Sequence, residues 1–176
     1  AGVALGSATV EGLQKAATNS FHINVNGVFN TVHPALELMS KRRPYPVANA
    51  QVALMSSVMG YAGMARSPAY SSSKAAIKHY GEALRGAFSG MGIGVSVICP
   101  GYVGTALTAK NRAPMPFLIP ADKAAEIIAR GLARNKARIT FPWQMVFITR
   151  LLMNLPAFIV DRINKPWGVV RLEDNP

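Results

Sequence analysis

The sequence predicts an α/β fold built on a doubly wound parallel sheet. Short apolar runs at about 51–56, 93–99 and 137–141 alternate with longer stretches of helical spacing. The connections between these runs are helix-sized, as parallel strands require. Half of the 176 residues (50%) are hydrophobic, which supplies a core for both faces of a sheet and argues against disorder.

Taken in order, Ala1 to Gly6 reads as the end of a strand and a turn. The first helix is predicted from Ala17 to Met39, because Phe21, Val25, Val28, Val32, Leu36 and Met39 recur at steps of three and four. Pro34 lies inside it and predicts a kink. Lys41-Arg-Arg-Pro-Tyr-Pro46 ends it in an exposed loop. After the 51–56 strand, a second helix is predicted from Pro68 to Ser89. Its small residues, Ala75, Ala76, Gly81, Ala83, Gly86 and Ala87, allow another helix to approach closely. Gly90 to Gly92 stops it. The strand at 93–99 follows, then a connection from Pro100 to Pro120 with four prolines, of the length that is usually functional or mobile. Ala121 to Arg134 reads as a helix capped near Pro120-Ala-Asp122, and Ala137 to Phe141 as a short strand.

Residues 1–140 are expected to form part of one domain, and 141–176 its apolar and basic extension. From Phe141 to Val160 the only charge is Arg150. That run is long enough to cross a bilayer, but Pro142, Asn154 and Pro156 weaken that reading. The leading expectation is an extension that covers a pocket or a subunit interface. A helix lying on a membrane surface comes second, since Trp143 and Trp167 flank the run and Arg150, Arg162 and Lys165 add positive charge.

The chemistry-bearing pattern is Ala-Tyr70-Ser-Ser-Ser-Lys74-Ala-Ala. Four residues apart on a helix, Tyr70 and Lys74 share one face. A free phenol has a pKa of about 10 and is inert at neutral pH. A nearby ammonium favours the phenolate, so the pair is a plausible proton-transfer device. Three further features accompany it. Ser57 closes the strand run Ala50-Gln-Val-Ala-Leu-Met-Ser-Ser57. Asn24 lies upstream in Phe-His-Ile-Asn-Val-Asn-Gly. Pro100-Gly101 follows the strand run ending at Cys99 and leads into Tyr-Val-Gly-Thr105.

This set, in this order, resembles the short-chain dehydrogenase/reductase family from Ala1 to about Ala133. The resemblance implies a Rossmann-like fold and an NAD- or NADP-dependent oxidoreductase interconverting an alcohol and a carbonyl. It assigns Tyr70 as acid or base, with Lys74 lowering its pKa and binding the nicotinamide ribose. Ser57 would bond the substrate oxygen, and Asn24, chosen over Asn26 by its spacing from Gly27, would hold a relay water. Gly2, Pro100, Gly101, Val103 and Thr105 would contact the cofactor. Met59, Met64 and Tyr102 are candidates for an apolar substrate pocket. Family members begin with a strand and a glycine-rich turn; no such turn occurs near this N-terminus. The chain therefore reads as the C-terminal two thirds of a member, inactive alone. The alternative is a non-catalytic remnant or interaction module. Each residue also has a plainer reading: Asn24 or Asn26 as helix cap or kink, Ser57 as strand end, Thr105 as turn.

The formal charge is +11, and ten of nineteen basic residues fall between Lys110 and Lys165. No nucleic-acid motif accompanies them, so nucleic acid is not the expected partner. An anionic cofactor or substrate, acids elsewhere in a longer chain, or a membrane surface would each account for the excess. The single cysteine, Cys99, excludes an internal disulfide and reads as a buried thiol. His22, His33 and His79 have no ligand spacing, and no metal site is expected. Cytoplasmic location, with contact to a membrane through the tail, and a homo-oligomer assembled through the two long helices complete the expectations.

Overall fold

The computed structural model describes residues 3, 9–42, 44, 46, 50–109 and 114–167. A helical column comes first. The Thr9 side chain accepts the Gly12 N–H at 3.1 Å, satisfying one donor that a helix start leaves open. α1 runs Val10–Phe21, a π turn spans His22–Asn26, and α2 continues as Gly27–Ser40. The column begins well before the predicted start at Ala17. Its first two turns are mostly polar or small, and Val10 is exposed, so apolar spacing did not reveal them. A further departure from α-helical bonding, which apolar spacing does not predict, lies at the π turn. Pro34 lies inside α2, whereas the Gly27 N–H reaches back to the His22 carbonyl across the π turn. Such turns insert one extra residue and recur at functional positions.

Three parallel strands form the sheet, in the order β1 (Gln51–Met55), β2 (Gly94–Pro100), β3 (Arg138–Phe141). β2 is central and buried along all but its last residue. Its Val95, Val97 and Ile98 are β-branched, as a strand covered on both faces favours. α3 (Pro68–Ala87) carries the chain from β1 to β2, and α5 (Ala121–Ala133) from β2 to β3.

The two faces have separate cores. On one, Val25, Val32 and Leu36 of the helical column meet Ile77 of α3 and Val52, Leu54 and Val95 of the sheet. On the other, Ala124, Ile127 and Leu132 of α5 meet Ile98, Ile139 and Phe141. Helices on both faces of a parallel sheet make the architecture doubly wound and Rossmann-like. Gly81 serves this packing rather than helix–helix contact. A Cβ there would stand 2.5 Å from Val97 Cγ2 and 2.7 Å from Leu54 Cδ1. The sequence reading grouped it with a helix-facing stripe, but it faces the sheet.

The connection after β2 holds a short helix, α4 (Ala106–Ala109), and a parallel bridge between Val103 and Ile119 closes its base. Beyond β3 the tail forms α6 (Trp143–Asn154) and α7 (Ala157–Asn164), separated at Leu155-Pro156. Among the described residues no helix is long and apolar enough to cross a membrane.

Candidate active site

Pro68 opens α3 at a position where its missing N–H costs nothing. Tyr70 and Lys74 follow on this helix. Lys74 is buried; its ammonium donates to the Met55 carbonyl at 3.1 Å and lies 5.7 Å from the centre of the Tyr70 ring. Burial pushes the Lys74 pKa down, partly opposed by Cys99. Burial pushes the Tyr70 phenol up, partly opposed by a hydrogen bond with Ser57. The sequence reading had Lys74 lower the Tyr70 pKa. Here burial outweighs the one favourable contact, which comes from Ser57, and the Lys74 ammonium is engaged at the end of β1.

Ser57 follows β1 in extended conformation and caps the 3₁₀ turn Val58–Gly60. Its Oγ accepts the Met59 N–H at 3.2 Å and donates to the Pro100 carbonyl at 3.3 Å. Ser56 Oγ donates to the Lys74 carbonyl at 2.7 Å. A Cβ on Gly60 would sit 2.9 Å from both the carbonyl carbon and oxygen of Lys74. The Ser57 turn therefore rests directly on the backbone of α3 at Lys74, and glycine is what permits that approach.

Asn24 is buried at the π turn, while Asn26 is exposed. Its Oδ1 accepts the Val3 N–H at 2.8 Å. Its Nδ2 donates to the Val3 carbonyl at 2.9 Å and to Ser73 Oγ at 3.0 Å. Ser73 Oγ itself donates to the Tyr70 carbonyl at 2.8 Å. Ser73 and Ser56 are positioning residues that sequence reasoning missed; their only signal was adjacency to Lys74 and Ser57.

Pro100 ends β2, and the Gly101 N–H donates to the Phe141 carbonyl at 2.7 Å. A Cβ on Gly101 would stand 2.9 Å from Pro142 Cδ and 3.4 Å from Met145 Cγ, so this turn lies against the start of α6. The Val103 carbonyl accepts from Thr108 Oγ1, which also accepts the Thr105 N–H at 2.9 Å. Thr105 is exposed at the start of α4. Met59, Met64 and Tyr102 are half-buried. Met59 is in the Ser57 turn, and the Tyr102 carbonyl accepts the Ile119 N–H at 3.0 Å. Gly2 lies outside the described residues.

One turn beyond Lys74 is a cluster that sequence reasoning also missed. Lys78 is buried, 4.8 Å from the centre of the Tyr61 ring and 3.3 Å from Glu82 Oε1. Arg138 of β3 pairs with Glu82 at 3.2 Å, and the Arg150 guanidinium of α6 lies 5.8 Å from the same ring. The spacing Lys74, Lys78, Glu82 on one helix face was its legible trace.

The geometry gathers Asn24, Ser57, Tyr70 and Lys74 around one end of the sheet, with Pro100-Gly101 one hydrogen bond from Ser57. A family model of the short chain dehydrogenases matches residues 1–116. The chain is 37% identical over 138 residues to an uncharacterized oxidoreductase of Myxococcus xanthus, covering 78% of this chain and 53% of that protein. It is 28% identical over 158 residues to a ketoacyl reductase of Nostoc, covering 83% and 55% respectively. The fold is similar to a short chain dehydrogenase from Burkholderia cenocepacia solved with NADP. There the TM-score is 0.75 at 16% identity, over 93% of this chain and 67% of that one. This chain belongs to the short-chain dehydrogenase family. It spans a little over half the length of these two curated relatives.

Proposed function

We propose that the protein is an oxidoreductase that interconverts an alcohol and a carbonyl with a nicotinamide dinucleotide, NAD or NADP. The observation that carries this reading is the buried Lys74 ammonium beside Tyr70 and Ser57. Of its three N–H donors, one meets a protein acceptor among the described residues, Met55. A buried ammonium calls for further polar partners, and the ribose hydroxyls of a nicotinamide nucleoside are of the right kind. The described residues fit the nicotinamide end of a dinucleotide. They contain no glycine-rich strand–turn–helix segment for the pyrophosphate, so residues 1–176 alone are expected to bind it poorly. When bound, the cofactor supplies or accepts the hydride.

Within this reading the chain's own residues have distinct tasks. The Tyr70 hydroxyl gives a proton to the carbonyl oxygen in reduction and takes it back in oxidation. The Ser57 hydroxyl donates a hydrogen bond to that oxygen, where negative charge develops. Lys74 holds the ribose and, once so placed, favours the phenolate. Asn24, through the remaining acceptor capacity of Oδ1, holds a water that passes protons from Lys74 to solvent. The Pro100-Gly101 turn, Val103, Thr105 and Gly2 place the nicotinamide. Met59, Met64 and Tyr102 line an apolar substrate pocket. Residues 1–140 and the 141–176 extension act as one catalytic unit.

The relatives support the class: a ketoacyl reductase from Nostoc and an acetoacetyl-CoA reductase from Shinella zoogloeoides are among the similar proteins. The test is an assay of the complete reading frame against a panel of alcohols and ketones with both cofactors, followed by reduced-nicotinamide absorbance. Turnover that Tyr70→Phe eliminates supports the reading. Absence of turnover and of cofactor binding in that product would assign the chain to a non-catalytic role.

The protein also assembles, in this reading, as a homo-oligomer through the outer faces of α2 and α3. Leu36, Tyr80, Leu84 and Phe88 line a groove of about 340 Å³ between these helices, and Leu38 beside it is 69% exposed. An interface there would hold the helix that bears Tyr70 and Lys74.

A further inference from the structure

α6 has two apolar faces. The inner one packs on β3 and the 58–60 turn and buries Val146 and Thr149. The outer one carries Trp143, Phe147 and Leu151, each one turn from the next and 73%, 63% and 51% exposed. A helix whose core-facing stripe is already covered has no folding reason for a second. α7 adds Phe158, 72% exposed, and Ile163. Between Trp143 and Ile163 lie seven of the fourteen large apolar side chains that are exposed among the described residues. Scattered surface apolar groups need no explanation, but such a concentration marks a contact surface.

Charge selects the occupant. From Arg130 to Trp167 seven basic residues stand against one acid, Asp161. Arg162 of α7 and Lys165 after it are exposed, whereas Arg150 of α6 turns its guanidinium onto the Tyr61 ring. The cleft between α5 and β3, lined by Arg130, Arg134, Lys136 and Arg138, runs to Thr140, just before Trp143. A second copy meeting this face would set these cations against their own images. α6 leaves from β3, the edge of the sheet opposite β1. We infer that the outer faces of α6 and α7 dock on an anionic lipid surface, with the aromatic and aliphatic side chains in the headgroup boundary and the cations among lipid phosphates. The contact is peripheral, since α6 has 12 residues and α7 has 8.

The experiment mixes residues 1–176 with vesicles of phosphatidylcholine alone, or of equal parts phosphatidylcholine and phosphatidylglycerol, and reads the bound fraction by sedimentation at low and high salt. Binding at least tenfold tighter to the anionic vesicles, and weakened by salt, is expected. In a Trp167→Phe background the Trp143 emission should shift to the blue on binding. Phe147→Ser with Leu151→Ser, both exposed positions, should abolish binding and leave the thermal melt unchanged. Replacing Arg162 and Lys165 together by Gln should weaken binding on the order of 30-fold, from about one kcal/mol per basic residue at an anionic surface. Equal binding to neutral vesicles, or undiminished binding by the double Ser variant, would overturn the inference. So would a double Ser variant that dissociates an oligomer without vesicles, since the face would then belong to a second copy.

Discussion

Asn24 Nδ2 donates to Ser73 Oγ at 3.0 Å, a bond that joins the π turn of the first helical column to α3 at the residue before Lys74. The same side chain holds both backbone groups of Val3. Asn24→Ala would leave these partners unpaired in a buried place. A loss of about 2–4 kcal/mol is expected, from the 1–3 kcal/mol typical of each orphaned group. Ser73→Ala should cost about 1 kcal/mol, and a double-mutant cycle should show coupling of at least about 0.5 kcal/mol. Denaturant melts of the four variants decide it; strict additivity would mean that the bond contributes nothing.

Tyr70→Phe in the complete reading frame should reduce kcat by roughly 10²–10⁴-fold, the usual worth of general acid–base catalysis. Cofactor affinity should survive, because the ring still packs. Retention of more than about a tenth of kcat would remove Tyr70 from the proton-transfer role.

Lys74→Met tests the electrostatics. Burial holds the Lys74 pKa below its ordinary 10.5. Between the folded value and 10.5 the unfolded chain binds more protons, so stability rises with pH through that window. At neutral pH the buried charge is a cost. The variant keeps the stem's packing, so it should be as stable as the parent or up to about 1–2 kcal/mol more stable, while turnover is lost. The parent should gain on the variant as pH rises from 7 towards 10.5. A variant less stable by more than about 2 kcal/mol would show that the Met55 bond outweighs the desolvation.

Gly60→Ala would press a methyl group onto the Lys74 carbonyl, where 2.9 Å is available. The turn bearing Ser57 must then lift from α3. A destabilisation of about 1–3 kcal/mol is expected, with a fall in kcat larger than any change in cofactor Kd. Unchanged stability and kcat would mean that the turn yields freely.

Ala83→Arg places a charge on the exposed outer face of α3. The assembled complete protein should dissociate and lose activity. An unchanged sedimentation coefficient would put the interface elsewhere.

The sheet, α3 and α5 were legible because their apolar periods are strong: β1, β2, β3, α3 and α5 lie within a residue or two of their predicted spans. α1 was not, since its first turns are polar or small and its start rests on the Thr9 cap. The π turn was hidden because it is defined by a bond five residues back, which no spacing rule encodes. At the site, Tyr70, Lys74, Ser57 and Asn24 were readable as motif residues. The serines that fix them were not. Ser56 and Ser73 act through carbonyls and amides brought together only by the fold. Lys78 and Glu82 share Lys74's helix face, but their partners Tyr61, Arg138 and Arg150 come from three other segments.

Gly101 abuts Pro142 and Met145, and Arg150 reaches Tyr61, so α6 meets the site from its outer side, whereas from within Asn24 is bonded to Ser73 of α3 and Ser56 to the Lys74 carbonyl. The tail thus approaches these residues through the Gly101 turn and Tyr61. Exchanging residues 142–167 for the matching stretch of a relative should re-address the protein to other substrates or surfaces. The Tyr70 phenol would keep the ionisation that burial and Ser57 give it.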